Sequence, residues 1–165
     1  MSVTIRPEGS GDAVAIHELT KAAFAGTPHS DGSEPHIVDA LRRDGDLALS
    51  LVGEDGAAIV GHIAASPVAI SDGSTRLFGL GPVSVSPERQ GEGIGSALVR
   101  RAVADLRSGG ARGLVVLGDP AFYARFGFEH DPALRYPGPP PKYFQFLLLE
   151  GQAPRGEVRY ALAFG

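Results

Sequence analysis

Three glycines precede a predicted helix near the middle of the chain, at Gly91, Gly93 and Gly95. Each glycine inside a helix costs about 1 kcal/mol relative to alanine, so three close together indicate a specific use. Glycine lets a ligand approach the backbone closely, and the first N–H groups of a helix have no partner within it. Because the helix dipole also favours negative charge at this end, the segment RQGEGIGSALV (89–99) predicts a phosphate-binding site. A plain tight turn would need only one glycine.

The identity of the phosphate ligand depends on the surrounding residues. A Walker loop is excluded because Gly95-Ser96-Ala97 contains no lysine. The pattern Gly91-x-Gly93-x-x-Ser96 is close to the dinucleotide fingerprint, and Asp119 follows the next predicted strand, where a ribose-binding acid would lie. A dinucleotide-binding fold, however, continues as repeated strand–helix units, which the segments before the glycines do not show. The dinucleotide therefore stays the weaker alternative.

The composition excludes several classes of site and partner. The chain has 165 residues, 43% of them hydrophobic, and a net charge of −4, which predicts a globular domain without a nucleic-acid or anionic-membrane surface. It has no cysteine, so a thiolate metal site and a thiol nucleophile are excluded. His17, His29 and His130 do not follow a metal-ligand spacing, and we expect no metal. Because neither a signal-peptide pattern nor an apolar run of membrane-spanning length is present, we expect a cytoplasmic protein.

Hydrophobic periodicity and turn residues predict an antiparallel meander before the glycines. Residues 3–7 predict a first strand, and two helices follow, with Asp12 and Ser33 as their expected N-caps. Asp55-Gly56 and Asp72-Gly73 are typical of hairpin turns between apolar runs. The strands that these turns separate are predicted at residues 46–55, 57–70 and 75–85.

After the glycines, the pattern predicts one parallel crossover. The helix extends to about Arg107, and residues 112–119 predict a short buried strand. Residues 131–142 are proline-rich and predict a loop, and residues 143–150 and 156–164 predict closing strands that pair onto the sheet. We therefore predict one α/β (α+β) domain over residues 1–165, with a mixed, mostly antiparallel sheet.

The segment VSVSPERQGEGIGSALV resembles the acyl-CoA signature of the GNAT superfamily of N-acetyltransferases. That signature is a strand followed by Gln/Arg-x-x-Gly-x-Gly/Ala, and Gln90, Gly93 and Gly95 occupy its defining positions. The order of the predicted elements agrees with this family over essentially the whole chain. The resemblance implies the GNAT fold, in which helices cover both faces of the central sheet.

The segment LGDPAFYARFGFE resembles a second GNAT signature, Tyr-x-x-x-Gly-Phe, at Tyr123, Gly127 and Phe128. A bacterial subgroup of predicted N-acetyltransferases shares this segment, the LGP before the signature strand and a proline-rich loop near the end. The resemblance therefore implies an acyltransferase that uses acetyl-CoA as co-substrate and needs no metal.

In the family, the signature strand lays its backbone along the pantetheine arm of CoA, and the glycine loop holds the pyrophosphate on its N–H groups. Arg89, Arg100 and Arg101 are candidates to contact the adenosine phosphates. The resemblance implies cofactor-binding roles for Val83, Ser84, Val85, Gln90, Gly91, Glu92, Gly93, Ile94, Gly95 and Ser96.

The resemblance implies that Tyr123 is a general acid. Amide formation expels a CoA thiolate, and a phenol with its ordinary pKa of about 10 is protonated at neutral pH and can supply the proton. The base is less defined, because the signature strand RLFGLGPVSV contains no carboxylate. Glu34 and His36, on the second predicted helix, are the candidates on the acceptor side, with His62 or a water relay as alternatives. Asp119 is expected to cap the helix that carries Tyr123.

The implied reaction is transfer of acetyl from acetyl-CoA to a primary amine, by direct attack in a ternary complex. The alternative is a non-catalytic acyl-CoA-binding sensor or interaction domain with the same fold. The acceptor, a small molecule or a peptide amine, would be selected by residues 26–33 and 131–142, which carry no recognisable motif. An acyl group longer than acetyl and the oligomeric state both stay open. In a homodimer, the exposed edge of the closing strands would be the expected contact.

Overall fold

The computed structural model describes residues 2–28 and 30–165, so the expectation for His29 lies outside the described residues. Four α-helices occur in the described chain: α1 (Ala13–Phe24), α2 (Glu34–Asp44), α3 (Ile94–Ser108) and α4 (Pro120–Tyr123). Its strands are β1 (Thr4–Pro7), β2 (Leu49–Asp55), β3 (Ala58–Pro67), β4 (Ala69–Ile70), β5 (Leu77–Val85), β6 (Gly113–Leu117), β7 (Leu134–Arg135), β8 (Phe144–Leu148) and β9 (Gly156–Arg159).

The central sheet contains six strands in the order β1-β2-β3-β5-β6-β8. Neighbouring strands are antiparallel except for β5 and β6, which are parallel and connected through α3. This topology confirms the predicted meander, the single crossover and the mixed sheet.

Helices cover both faces of this sheet, as the resemblance implied. Because successive side chains of a strand point to opposite faces, Leu51 and Val52 of β2 enter different clusters. Val52 packs with residues of α1 and α2, whereas Leu51 belongs to the cluster that contains the apolar side of α3. Within residues 2–28 and 30–165, none of these helices has the length and apolarity required to span a bilayer.

The structure corrects two expectations about the strands. The predicted strand at residues 57–70 divides after Pro67 into β3, which stays on the main sheet, and β4, which pairs with β9. The last strand, β9, was expected on the main sheet, but it pairs with β4 and β7 in a separate three-stranded sheet. The Asp72-Gly73 turn consequently follows β4 and does not join two neighbours of one sheet.

Asp12 and Ser33 are the N-cap residues of α1 and α2, as expected, but neither side chain makes a capping hydrogen bond. The Asp12 carboxylate accepts hydrogen bonds from the Gly9 N–H at 2.6 Å and from the Arg6 guanidinium at 2.7 Å. The Ser33 hydroxyl donates to the Asp31 carboxylate. At both N-caps the backbone is already helical, so the side chain does not reach the N–H groups of the first turn.

Gly61 provides a test of how α3 is positioned on the sheet. A Cβ atom at Gly61 would lie 2.8 Å from Ile94 Cγ2 and 3.0 Å from Leu98 Cδ1, both on α3. We expect Gly61→Ala to lower the free energy of unfolding by about 1–3 kcal/mol, because it overpacks this contact. Urea denaturation measures the change. Gly11→Ala is the control, since a Cβ there meets no described heavy atom within 4 Å. Equal stability of the two variants would contradict the close contact.

Candidate active site

The signature strand β5 separates from β6 halfway along its length. Leu77 to Leu80 pair with β6, but β5 continues to Val85 and pairs there only with β3 among the described strands. The register with β3 shifts at the same point, where Gly81 and Pro82 form an irregularity. Gly81 and Pro82 are the extra residues of this bulge against β3, and the pairing of β5 with β6 ends just before them. The result is a gap between the two parallel strands, open beyond Leu80.

Main-chain groups of β5 point into this gap. The Ser86 N–H donates to the Val60 carbonyl of β3 at 2.9 Å. Because backbone groups alternate in direction along a strand, those of Val83 and Val85 face away from β3. A hydrogen bond supports this direction for Val85, because its carbonyl accepts from Gln90 Nε2 at 3.3 Å and not from β3.

The glycine loop presents the N-terminus of α3 to the same gap. Gly91 and Gly93 have φ angles of 83° and 87°, which side chains with a Cβ rarely adopt. Gly93 is the N-cap of a 15-residue helix. The N–H groups of the first helical turn, from Ile94 to Ser96, have no intrahelical acceptor and form the positive end of the helix dipole. This arrangement suits a phosphate group.

A cavity of about 610 Å³ joins the gap and the loop. Its volume is in the range typical of small-molecule sites. Of the ten predicted cofactor residues, eight line it, while Ser84 and Glu92 do not. The Ser84 side chain is buried on the opposite face of β5, and the Glu92 carboxylate accepts from Arg89 Nε at 3.0 Å. Tyr123 lines the same cavity, so the two signatures meet at one site.

Tyr123 is the last residue of α4 and is 9% exposed. Its ring lies against the backbone of Gly118, where a Cβ atom would be 2.7 Å from Tyr123 Cε2. Asp119 accepts from the Ala121 N–H at 3.0 Å, which confirms the predicted cap of this helix. Burial, with a smaller contribution from the Asp119 carboxylate, raises the pKa of Tyr123 to about 12. The phenol therefore stays protonated at neutral and moderately alkaline pH.

Arg125 is a cavity residue that the sequence analysis missed. Its guanidinium donates to Ser96 Oγ at 3.1 Å and lies 4.7 Å from the centre of the Phe122 ring. This stacking holds a positive charge beside the first turn of α3, where an anion is expected. Of the arginines that were predicted, Arg89 lines the cavity and also pairs with Asp55 and Glu92, whereas Arg101 pairs with Asp105 on α3. The sequence could have identified Arg125 as a site residue, because it lies inside the second signature.

The two candidate bases lie on α2, apart from the cavity that Tyr123 lines. Glu34 accepts from the Ser30 hydroxyl at 2.7 Å and lines a separate cavity of about 450 Å³, formed with part of the predicted acceptor loop. The His36 ring lies 5.3 Å from that of His17 on α1. The late proline-rich loop lines a further cavity of about 440 Å³, with Tyr136 and Phe144 in its wall.

The buried His62 belongs to a chain of polar side chains on the α1–α2 face of the sheet, whose other members are partly exposed. Its Nε2 lies 2.8 Å from Ser50 Oγ, which in turn donates to the Glu8 carboxylate at 2.6 Å. Arg42 donates two hydrogen bonds to that carboxylate, at 3.0 and 2.8 Å. Burial would raise the pKa of Glu8, but the bonds from Arg42 and Ser50 outweigh it and lower the pKa.

The hydrogen bonds among these side chains fix the tautomer of His62. Because the Ser50 hydroxyl gives its proton to Glu8, its oxygen accepts the proton on His62 Nε2, and Nδ1 carries a lone pair. Within the described residues, His62 Nδ1 and the neighbouring Ser84 Oγ have no hydrogen-bond partner. Burial, opposed by the Glu8 carboxylate, lowers the pKa of His62 to about 4. His62 is therefore a neutral core histidine at physiological pH.

Comparison with known families decides the identity of the fold and the site. Residues 4–130 match the family described as "Acetyltransferase (GNAT) domain". The chain belongs to the GNAT acetyltransferase family. Both signatures lie within the matched residues.

Individual relatives agree with the GNAT assignment. N-acetyltransferase YhbS of Escherichia coli strain K12 is 37% identical over 139 residues, which cover 81% of this chain and 80% of YhbS. A GNAT family acetyltransferase from Brucella melitensis, solved in complex with acetyl-CoA, has a TM-score of 0.89 and 46% identity over 99% of both chains. The structure of Escherichia coli YhbS in complex with CoA has a TM-score of 0.90 and 32% identity, over 98% of this chain and 91% of that one. These similarities confirm the predicted GNAT fold and the N-acetyltransferase class.

The low pKa of His62 predicts how acid affects this GNAT protein. An imidazole in the unfolded chain binds a proton near pH 6.5, but His62 in the folded chain binds one only near pH 4. Between these values the unfolded state holds more protons, so the free energy of unfolding falls as the pH falls, by about 3 kcal/mol over the window.

Urea denaturation at pH 6.5 and 4.5 tests this dependence. We expect His62→Gln to lose much less stability than the wild type over this interval, whatever its stability at pH 6.5. His130→Gln, which changes a histidine outside this chain of polar side chains, should keep the wild-type loss. An unchanged loss in His62→Gln would show that another group causes the acid sensitivity.

Proposed function

We propose that this GNAT protein transfers an acetyl group from acetyl-CoA to a primary amine, by direct attack of the amine in a ternary complex. The observation that carries the proposal is the meeting of the strand gap, the glycine loop and Tyr123 in one cavity. The Brucella melitensis and Escherichia coli proteins, which share the fold over nearly the whole chain, bind acetyl-CoA and CoA in their solved structures.

The donor would be held mainly by main-chain groups. The pantetheine arm, which carries amide groups, would lie along Val83 and Val85 and bond to their N–H and carbonyl groups as an additional strand does. The pyrophosphate would accept from the N–H groups between Gly91 and Ser96. Arg125 would add a charge-assisted hydrogen bond at the same place.

Tyr123 would act when the thiolate leaves. The amine nitrogen attacks the thioester carbonyl carbon and forms a tetrahedral intermediate. Its collapse breaks the carbon–sulfur bond, and the Tyr123 hydroxyl gives its proton to the sulfur, so that free CoA leaves as the thiol. The nitrogen loses one proton on the acceptor side, for which Glu34 and His36 are the proposed candidates, acting through water because neither lines the cavity.

The acceptor would be selected by the segments 26–33 and 131–142. The described part of the first segment and the start of α2 line one cavity, and the second segment lines another with aromatic and proline residues. Both segments lie outside the main sheet, so they can differ between relatives without changing the donor site.

The second candidate function is an acyl-CoA-binding sensor. It is favoured by one observation: no carboxylate lies on the signature strand, and neither Glu34 nor His36 lines the cavity. Such a protein would bind acetyl-CoA and release no thiol in the presence of amines.

Tyr123→Phe tests the catalytic assignment. We expect kcat to fall by about 100-fold, because general acid catalysis typically contributes at least that factor, while the KM for acetyl-CoA changes little. Free thiol released from acetyl-CoA is measured with a panel of amine, peptide and protein acceptors. Tyr143→Phe is the matched control, since Tyr143 is 37% exposed and does not line the cavity.

The pH dependence gives the same test an independent readout. Because the pKa of Tyr123 is about 12, the wild-type rate should not decline between pH 8 and 10 through loss of the acid. Tyr123→Phe with the full wild-type rate would refute the role of Tyr123 alone. Binding of acetyl-CoA without thiol release in the presence of any acceptor would favour the sensor.

Parallel assays of the Glu34→Gln and His36→Gln variants test the two candidate bases and identify which of them, if either, affects kcat.

A further inference from the structure

Two histidines and a carboxylate meet on the outer side of the α1–α2 helix pair. They are His17 of α1 and His36 and Asp39 of α2, and each offers one ligand atom such that all three atoms lie within 4.8 Å of one another. None of the three lines the cavity that contains Tyr123. The arrangement is therefore separate from the proposed donor site.

The helix geometry brings these residues together. His36 and Asp39 are three residues apart, so their side chains lie on the same side of α2. α1 and α2 pack against each other, and His17 approaches this side from the neighbouring helix. His17 Nδ1 lies 2.7 Å from Asp39 Oδ2, and the His36 ring meets the His17 ring edge-on at 5.3 Å.

The ligand set suits a transition-metal ion. Two imidazoles and one carboxylate are the protein ligands of many zinc sites that keep a position for water, whereas Mg²⁺ and Ca²⁺ prefer oxygen ligands. With metal–ligand bonds of about 2.0–2.1 Å, tetrahedral ligand atoms lie about 3.3 Å apart. His17 Nδ1 and Asp39 Oδ2 lie 2.7 Å apart and need only a small outward movement, about 0.6 Å, to reach this separation. His36 is exposed, so its side chain can rotate inward by the remaining distance without displacing core residues.

A neighbouring residue holds the carboxylate in place. Arg42 Nη1 lies 3.6 Å from Asp39 Oδ1, the oxygen that does not face His17. Arg42 is itself fixed by its two hydrogen bonds to Glu8. Partners of this kind orient metal-ligating carboxylates and contribute to affinity. Asp39 Oδ2 is thereby left facing the two imidazoles.

We propose that His17, His36 and Asp39 bind one divalent transition-metal ion, such as Zn²⁺, at the surface of the α1–α2 pair. The ion takes the place of the hydrogen bond between His17 Nδ1 and Asp39 Oδ2 and links the two helices. The imidazole proton moves through solvent to His17 Nε2, so that Nδ1 is free to bind the metal. Solvent supplies its remaining ligands. The site connects the helices on either side of the predicted acceptor loop, residues 26–33. The proposal concerns binding alone. While the ion is bound, His36 cannot also accept the proton of the amine, so Glu34 is then the one remaining candidate base of the proposed function.

Zinc titration of the full chain tests the site. The protein is prepared without a histidine tag, freed of metal with a chelator, and titrated with Zn²⁺ by calorimetry. We expect one ion per chain. His36→Gln and Asp39→Asn should each weaken binding by at least about tenfold, the lower limit found when even an outer partner of a ligand is removed. His130→Gln, on a different part of the surface, should bind as the wild type does, and Mg²⁺ should not compete.

Loading with Co²⁺ gives a second measurement, the visible absorption of the bound ion, which a substitution that only disturbed the fold would not change selectively. The wild type should show a visible absorption band with a 1:1 endpoint, and both ligand variants should lose it while keeping their circular dichroism. Absence of saturable Zn²⁺ binding overturns the proposal. Wild-type affinity in either ligand variant, or an equal loss in His130→Gln, overturns the assignment to these three residues.

Discussion

The separation of β5 from β6 beyond Leu80 is the constraint on which the site depends. A paired strand would have its hydrogen-bonding groups satisfied by its neighbour, and the chain would offer no edge to a ligand. Here the pairing ends at Leu80, next to the irregularity at Gly81 and Pro82, and the main-chain groups of Val83 and Val85 face an open gap. Buried backbone groups need partners, so a ligand that carries amides gains energy by supplying them. α3 then fixes where the charged part of that ligand lies, because its N-terminus opens at the end of the same gap.

Under the proposed function, recognition through the backbone would explain why the donor and the acceptor are specified by different kinds of residue. In the proposed function, a donor bound by N–H and carbonyl groups would demand few side chains, mainly glycines that permit close approach. The proposed acceptor segments lie outside the main sheet. Tyr123 would connect the two sides, since Gly118 admits its ring and burial keeps its hydroxyl protonated.

The elements that could be predicted are those with local signals. The Asp55-Gly56 turn, the helical period after Gly93 and the apolar run of β6 each depend on neighbouring residues, and the structure contains all three. The pairing of β9 with β4 was missed because it joins distant segments and follows from the break at Pro67. Asp12 is the N-cap of α1, but the ion pair of its carboxylate with Arg6, on another element, could not be predicted from the local pattern. The meeting of His17 with His36 and Asp39 was missed for the same reason, since it depends on how two helices pack.

Amide NMR shows whether the gap and the glycine loop bind CoA through main-chain groups. Substitutions cannot remove a backbone N–H cleanly, whereas a titration of ¹⁵N-labelled protein with CoA observes each one. We expect the largest shifts at Val83, Val85 and the amides from Gly91 to Ser96. Saturable binding whose shifts centre on the proline-rich loop, with Gly91 to Ser96 unaffected, would contradict it.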